Sequence, residues 1–149
     1  MLDHEHYMRQ ALQLASEAGA RGEIPVGCVV VDGAGEIIGR GQNRREATRL
    51  VTGHAEIEAI NAACAARGDW RLGDCTLYVT LEPCPMCAGA MINARLGTLV
   101  YGARESLTGS CASVLNLFEE RFGVHPAIFG GVLAEESQAL LTEFFNKMR

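Results

Sequence analysis

Hydrophobic positions along the chain alternate between two periods. Over residues 3–20, Tyr7, Ala11, Leu14, Ala15 and Ala18 fall at helical spacing, with Asp3 placed as an N-cap and Glu5 in the first turn. Gly19 to Gly22 ends that helix. Pro25 to Asp32 is instead an unbroken apolar run bounded by turn residues, the pattern of a strand buried on both faces. Asp32-Gly33 marks a turn, and Glu36 to Gln42 completes a hairpin. Residues 43–53 read as a loop. The alternation continues with an Ala-rich helix over 54–67, a strand over 75–81, a short helix over 84–95 and a strand over 97–103. A helix over 110–120, a short strand over 127–132 and an amphipathic helix from Leu133 onward complete it, the last with Leu140, Phe144 and Met148 on one stripe. The order α-β-β-α-β-α-β-α-β-α predicts an α/β fold. We expect a three-layer α/β/α sandwich around a mixed five-stranded sheet, its last three strands parallel, forming one domain over 1–149.

Composition narrows the class. Apolar residues make up 48% of the chain, enough for a real core, which excludes disorder over most of the length. No apolar run approaches the ~18 residues of a membrane span, and the N-terminus lacks a basic-then-apolar signal pattern, so the expectation is a soluble, cytoplasmic protein. The net charge of −5 excludes a strongly basic nucleic-acid coat. The cations are nonetheless nearly all Arg, with Lys147 the single Lys. Arg stacks on bases and grips phosphate with a planar fork, as Lys cannot.

Six cysteines in a chain of this kind point to metal or catalysis before disulfides. Cys28 lies in an apolar run and Cys64 in the Ala-rich helix, where both serve as small hydrophobes. Cys84 and Cys87 differ. Spaced i, i+3 at a helix start, they place both sulfurs on one face, where the positive helix terminus favours thiolates. Pro85 suits an early helical position. Of the four histidines, His4 and His6 lie near a terminus and His125 precedes a proline in a loop, whereas His54 opens a helix. His54, Cys84 and Cys87 suit Zn²⁺ and leave a fourth tetrahedral position open, the mark of a catalytic site. Glu56 cannot share a mid-helix face with His54. It can reach the same site if His54 sits at the helix edge, and there it can carry a proton as general base and then acid.

His54-Ala55-Glu56 together with Pro83-Cys84-Pro85-Met86-Cys87 resembles the signature of the zinc-dependent cytidine deaminase superfamily, whose mechanism is established. Pro25-Val26-Gly27, Gly41-Gln42-Asn43-Arg44, Thr76 to Leu81 and Glu82 to Ile92 resemble the bacterial tRNA adenosine deaminases in particular, over about Tyr7 to Met148. The resemblance implies hydrolysis of adenosine to inosine at the wobble position of a tRNA anticodon, with one Zn²⁺ per subunit on His54, Cys84 and Cys87 and Glu56 moving the proton. It implies that Asn43 binds the base, that Pro25 and Val26 line its pocket, and that the Ala55 and Cys84 amides position the reacting centre. It also implies a homodimer, in keeping with the largely apolar helix Met86 to Leu96. Two positions depart from the family. Glu105 stands where an Asp near the sugar is usual, and Leu50-Val51-Thr52-Gly53 replaces a segment beginning Asp-Pro-Thr.

Candidate RNA contacts are Arg44, Arg45, Arg49 and Arg104, with Lys147 and Arg149 farther along. The departures keep open a small-molecule deaminase acting on guanine, cytosine or a nucleoside. A non-enzymatic zinc-stabilised RNA-binding subunit would have no need of Glu56. Cys111 and Trp70 read as structural residues.

Overall fold

The structure, a computed structural model that describes residues 2–148, follows the predicted order closely. Helix α1 spans His4–Ala20, and Asp3 caps it by accepting the His6 N–H at 3.2 Å. Strands β1 (Gly27–Val31) and β2 (Ile37–Gln42) form the antiparallel hairpin, and Asp32 Oδ1 accepts the Ala34 and Glu36 N–H groups in its turn. Then come α2 (Arg45–Thr48), α3 (Ala55–Arg67), β3 (Thr76–Leu81), α4 (Pro85–Asn93), β4 (Thr98–Ala103), β5 (Ala127–Phe129) and α5 (Ala134–Lys147). The sheet runs β2-β1-β3-β4-β5, with β1 antiparallel to β3 and with β3, β4 and β5 parallel.

Three layers result because both sheet faces are apolar. Val29, Val31, Tyr78 and Val100 meet α1 on one face. Cys28, Val30, Leu77, Val79 and Leu99 meet α3 and α4 on the other. Each fully buried Leu or Val side chain contributes roughly 1.5–3 kcal/mol. Gly39 and Gly41 share one face of β2, and a Cβ at either would come within 3 Å of α3 backbone nitrogens, Ala63 N and Ala59 N respectively. Their lack of side chains lets α3 lie directly on the hairpin. That approach carries the start of α3 to the carboxyl end of β3, where α4 also begins.

Four expectations need correction. The helix over 110–120 does not form; the segment holds a single 3₁₀ turn, Leu117–Glu119. Side chains compete with the backbone there, since Asn116 accepts the Phe118 N–H and Glu82 accepts the N–H groups of residues 111–113. The loop 43–53 contains the one-turn helix α2. β5 is cut to three residues, ending before Gly130 and Gly131. On α5 the inward stripe is centred on Ser137 and Leu141, with Leu140 and Phe144 half-buried beside it and Met148 exposed. Arg149 lies outside the described residues. Among those residues, no helix is long and apolar enough to cross a membrane.

Candidate active site

Two helix N-termini meet at the predicted chemistry. His54 is the N-cap of α3 and Cys84 the N-cap of α4, both with extended backbone; Pro85 is the first residue of α4 and Cys87 lies in its first turn. His54 Nδ1 stands 3.7 Å from Cys84 Sγ and 3.6 Å from Cys87 Sγ, and the three donor atoms lie within 4.8 Å of one another. Zinc bond lengths of about 2.0–2.1 Å to N and about 2.3 Å to S, at tetrahedral angles, require an N···S separation of about 3.6 Å. The donor set therefore fits a tetrahedral zinc ion in element type and in spacing. The hydrogen bond from Cys87 holds the Cys84 thiol down at about 4. The same contact, with burial, pushes Cys87 up. Hydrogen bonding to Cys84 pushes His54 up. The three donors are thus coupled to one another by hydrogen bonds, and two sulfurs and one imidazole nitrogen are the donor types a zinc ion takes.

Glu56 enters the same space from the first turn of α3. His54 sits before the helix begins, so the i, i+2 pair converges as the spacing required. Glu56 is only 4% exposed, and desolvation pushes its carboxyl up to about 7. That value suits a group that must both take and give a proton near neutral pH.

These groups open into a cavity of about 470 Å³. Val26, Asn43, Ala55, Glu105, Arg45 and Arg104 line it together with His54, Glu56 and Cys84. Ala55 is the first residue of α3, so its N–H has no intrahelical partner. Pro25 does not line the cavity; it is buried behind the wall, and its neighbour Ile24 takes that place. Asn43 is held at both ends, its Nδ2 donating to the Ile24 carbonyl (3.4 Å) and its Oδ1 accepting the Arg45 N–H (3.3 Å). Arg44 and Arg49 do not line the cavity. Arg44 Nε pairs with Glu58 at 2.7 Å, and Arg49 sits in the left-handed region (φ 58°) at the end of α2. Lys147 pairs with Glu143 along α5.

Glu105 faces the cavity, but one of its carboxylate oxygens accepts the Leu107 N–H (3.0 Å) and so closes a turn of its own loop. Sequence reasoning missed one whole wall. Gln138, Leu141, Thr142, Phe145 and Asn146 come from α5, whose spacing marks them as helical without saying what they face. It also missed two buried carboxylates, Glu23 and Glu82, each 2% exposed. Glu23 accepts the N–H groups of Glu46 (3.0 Å) and Ala47 (2.8 Å) at the start of α2. Cys111 is buried, as expected. Trp70 is 48% exposed and stacks under the Arg71 guanidinium at 4.4 Å, away from the cavity.

The mixed five-stranded sheet between helical layers, with a His/Cys/Cys group and a buried Glu at two helix starts, defines a deaminase of the cytidine deaminase-like fold. The model of the MafB19-like deaminases matches residues 2–149, and the chain belongs to that family. It is 45% identical to a tRNA-specific adenosine deaminase of Bacillus subtilis strain 168, over 100% of this chain and 92% of that one. Among solved structures it resembles a tRNA:A34 deaminase studied for A-to-I editing at the wobble position of transfer RNA. That match has a TM-score of 0.86 and 42% identity, over 91% of this chain and 99% of that chain. A guanine deaminase of Bacillus subtilis matches at a TM-score of 0.66 and 41% identity, over 69% of this chain and 66% of that one.

Proposed function

We propose that this protein hydrolyses adenosine to inosine at the wobble position of a tRNA anticodon, releasing ammonia. His54, Cys84 and Cys87 would hold one zinc ion per subunit. When bound, the ion supplies Lewis acidity that makes a water molecule a competent nucleophile at neutral pH. The observation that carries the reading is Glu56, buried at the floor of the cavity with its carboxyl near neutrality and within the same pocket as Asn43.

Glu56 takes a proton from the attacking water and delivers one to the ring nitrogen as the C6–O bond forms. It then takes the proton of the new C6 hydroxyl and passes it to the amino group, the C6–N bond breaks, and ammonia leaves as the C6 carbonyl forms. Asn43, with Val26 and Ile24, orients the base. The Ala55 N–H, at the positive end of α3, points at the reacting centre. A wobble base is unpaired in its loop, so drawing it into the cavity costs little. Arg45 and Arg104 at the cavity wall bind flanking phosphates, with Arg44 and Arg49 beside them and Glu105 near the sugar.

We infer further that the protein works in the cytoplasm, as a homodimer joined through α4, a largely apolar helix on which Met86, Ala90 and Ile92 are only half-buried. Light scattering coupled to gel filtration tests the dimer.

A second reading, deamination of guanine, cytosine or a nucleoside, is favoured by the likeness to a guanine deaminase and by Glu105 and Leu50–Gly53. Incubating zinc-loaded protein with an anticodon stem-loop, and in parallel with guanine, cytosine, adenosine and cytidine, separates the two. Inosine in the RNA alone supports the first. Ammonia from a free base or nucleoside alone refutes it. A Glu56→Ala variant controls for contaminating activity.

A further inference from the structure

Beyond Glu56, one buried acid shapes the cavity without taking part in the chemistry. Glu82 directly follows β3, is 2% exposed and lines the cavity. The segment that follows β4, residues 104–116, has no regular secondary structure apart from turns and the Cys111–Asn116 bridge. Its first half, Arg104 to Thr108, is a cavity wall. Glu82 gathers that segment. Its Oε1 accepts the Glu105 N–H at 3.1 Å and the Ser113 hydroxyl. Its Oε2 accepts the N–H groups of Cys111 (3.3 Å), Ala112 (2.8 Å) and Ser113 (2.9 Å). One side chain thereby holds both ends of the segment, of which the first carries the cavity wall. Gly109, between them, packs so closely that a Cβ there would stand 2.5 Å from the Glu82 carboxylate carbon.

We propose that Glu82 is a specificity-determining positioning residue: its carboxylate sets where Glu105 and the 104–108 wall stand against the nucleotide around the target base. The inference deepens the proposed function and rests on it. Glu82 supplies binding geometry, while turnover at Glu56 proceeds without it. Charge makes the arrangement selective. A carboxylate offers acceptor positions on both oxygens, and the bonds it takes from N–H donors are the stronger kind. An amide offers one oxygen. In Glu82→Gln that oxygen goes to the three N–H groups of residues 111–113, and the amide nitrogen is left facing the Glu105 N–H. The substitution therefore releases Glu105 and reverses the bond to Ser113, whose hydroxyl oxygen can accept from the amide, while retaining the three N–H bonds of residues 111–113.

The test begins without substrate. Amide hydrogen exchange in the zinc-loaded protein is expected to rise at Glu105 by about tenfold or more in Glu82→Gln, with α3 and α4 amides unchanged. Steady-state kinetics on the anticodon stem-loop should then show KM raised about tenfold with kcat within about twofold and zinc content unchanged. Ser113→Ala, which removes a single donor, should shift KM the same way by a smaller factor. It guards against a Glu82 variant that fails to fold. A Glu82→Gln protein with unchanged KM, or with kcat lowered at constant KM, overturns the inference, because Glu82 would then be structural only or coupled to the chemistry. If the wild type leaves the stem-loop untouched, the proposed function fails instead, and KM is read on whichever base or nucleoside is turned over. A KM unchanged there overturns the inference on that substrate too.

Discussion

Stripping zinc from the protein is expected to lower its melting temperature without unfolding it at room temperature. His54 Nδ1 stands 3.6–3.7 Å from the two sulfurs at the edge of two helices, and the apolar cluster beneath them, including Leu77, Met91 and Leu99, packs without needing the ion. Hydrogen bonds among the three donors remain in the chelated protein, holding the Cys84 thiol down while Cys87 and His54 are pushed up. An ion present at a thousand times its Kd stabilises the folded chain by about 4 kcal/mol. For a chain of about this length each kcal/mol moves Tm by roughly 2–4 °C, so the chelated protein should melt about 8–16 °C lower. Each tenfold change in free zinc should move Tm by about 3–6 °C. Thermal melts followed by circular dichroism across a series of zinc-buffered solutions measure the slope. A Cys84→Ser, Cys87→Ser double variant should give a flat line. A flat line in the wild type, or an equal slope in the double variant, refutes the assignment of these ligands.

Three other outcomes are expected. Glu56→Gln should keep its zinc, measured by metal analysis, and lose turnover by at least about 10²–10⁴-fold, since an amide cannot carry the proton. Leu77→Ala, at a fully buried position facing α3 and α4, should cost about 2–5 kcal/mol in urea denaturation, with the zinc stoichiometry of the folded fraction unchanged. The Arg67 guanidinium holds the Asp74 carboxyl down at about 2. Because the folded value is depressed, the pair stabilises above the ordinary carboxylate range and loses its effect as pH falls toward 2. Asp74 is 54% exposed, so the difference in stability between wild type and Asp74→Asn should be within about 1 kcal/mol at pH 7 and should shrink between pH 5 and pH 3.

How far the sequence could be read depended on whether periodicity or chain crossing built each part. β1 was legible because burial on both faces leaves an unbroken apolar run, Gly27 to Val31. His54 and Cys84 were legible at helix starts because Thr52-Gly53 and Pro85 beside them mark the boundaries, and Glu56 followed from the geometry of a helix edge. The segment 110–120 misled because Leu115, Leu117 and Phe118 have an apolar rhythm. Hydrogen bonds to Glu82, some thirty residues earlier in the chain, override it. Pro25 was placed one residue off the wall because alternation in an extended chain turns adjacent side chains apart, and only the fold says which of them faces the cavity. The α5 wall was invisible for a related reason. Gln138, Thr142 and Asn146 recur every fourth residue on an amphipathic helix, which on its own marks a solvated face.

The same division separates chemistry from selectivity. The His54, Cys84 and Cys87 group and Glu56 stand at the starts of α3 and α4, which are held by packing against the sheet, so on the proposed function substitutions in the surrounding loops leave these groups in place. Two connecting segments, 43–53 and 104–116, contribute to the cavity walls beside α5, and each is pinned by one buried carboxylate. Glu23 accepts two N–H groups at the start of α2, and Glu82 accepts four N–H groups and a hydroxyl across the other segment. Both departures from the family pattern fall in these segments, Glu105 lining the cavity and Leu50–Gly53 lying off its wall. Val51 (79% exposed) and Leu107 (83% exposed) project from them into solvent, where they add apolar surface without disturbing any bond to Glu23 or Glu82. A chain built this way can change what enters the cavity while the deamination at its floor stays the same.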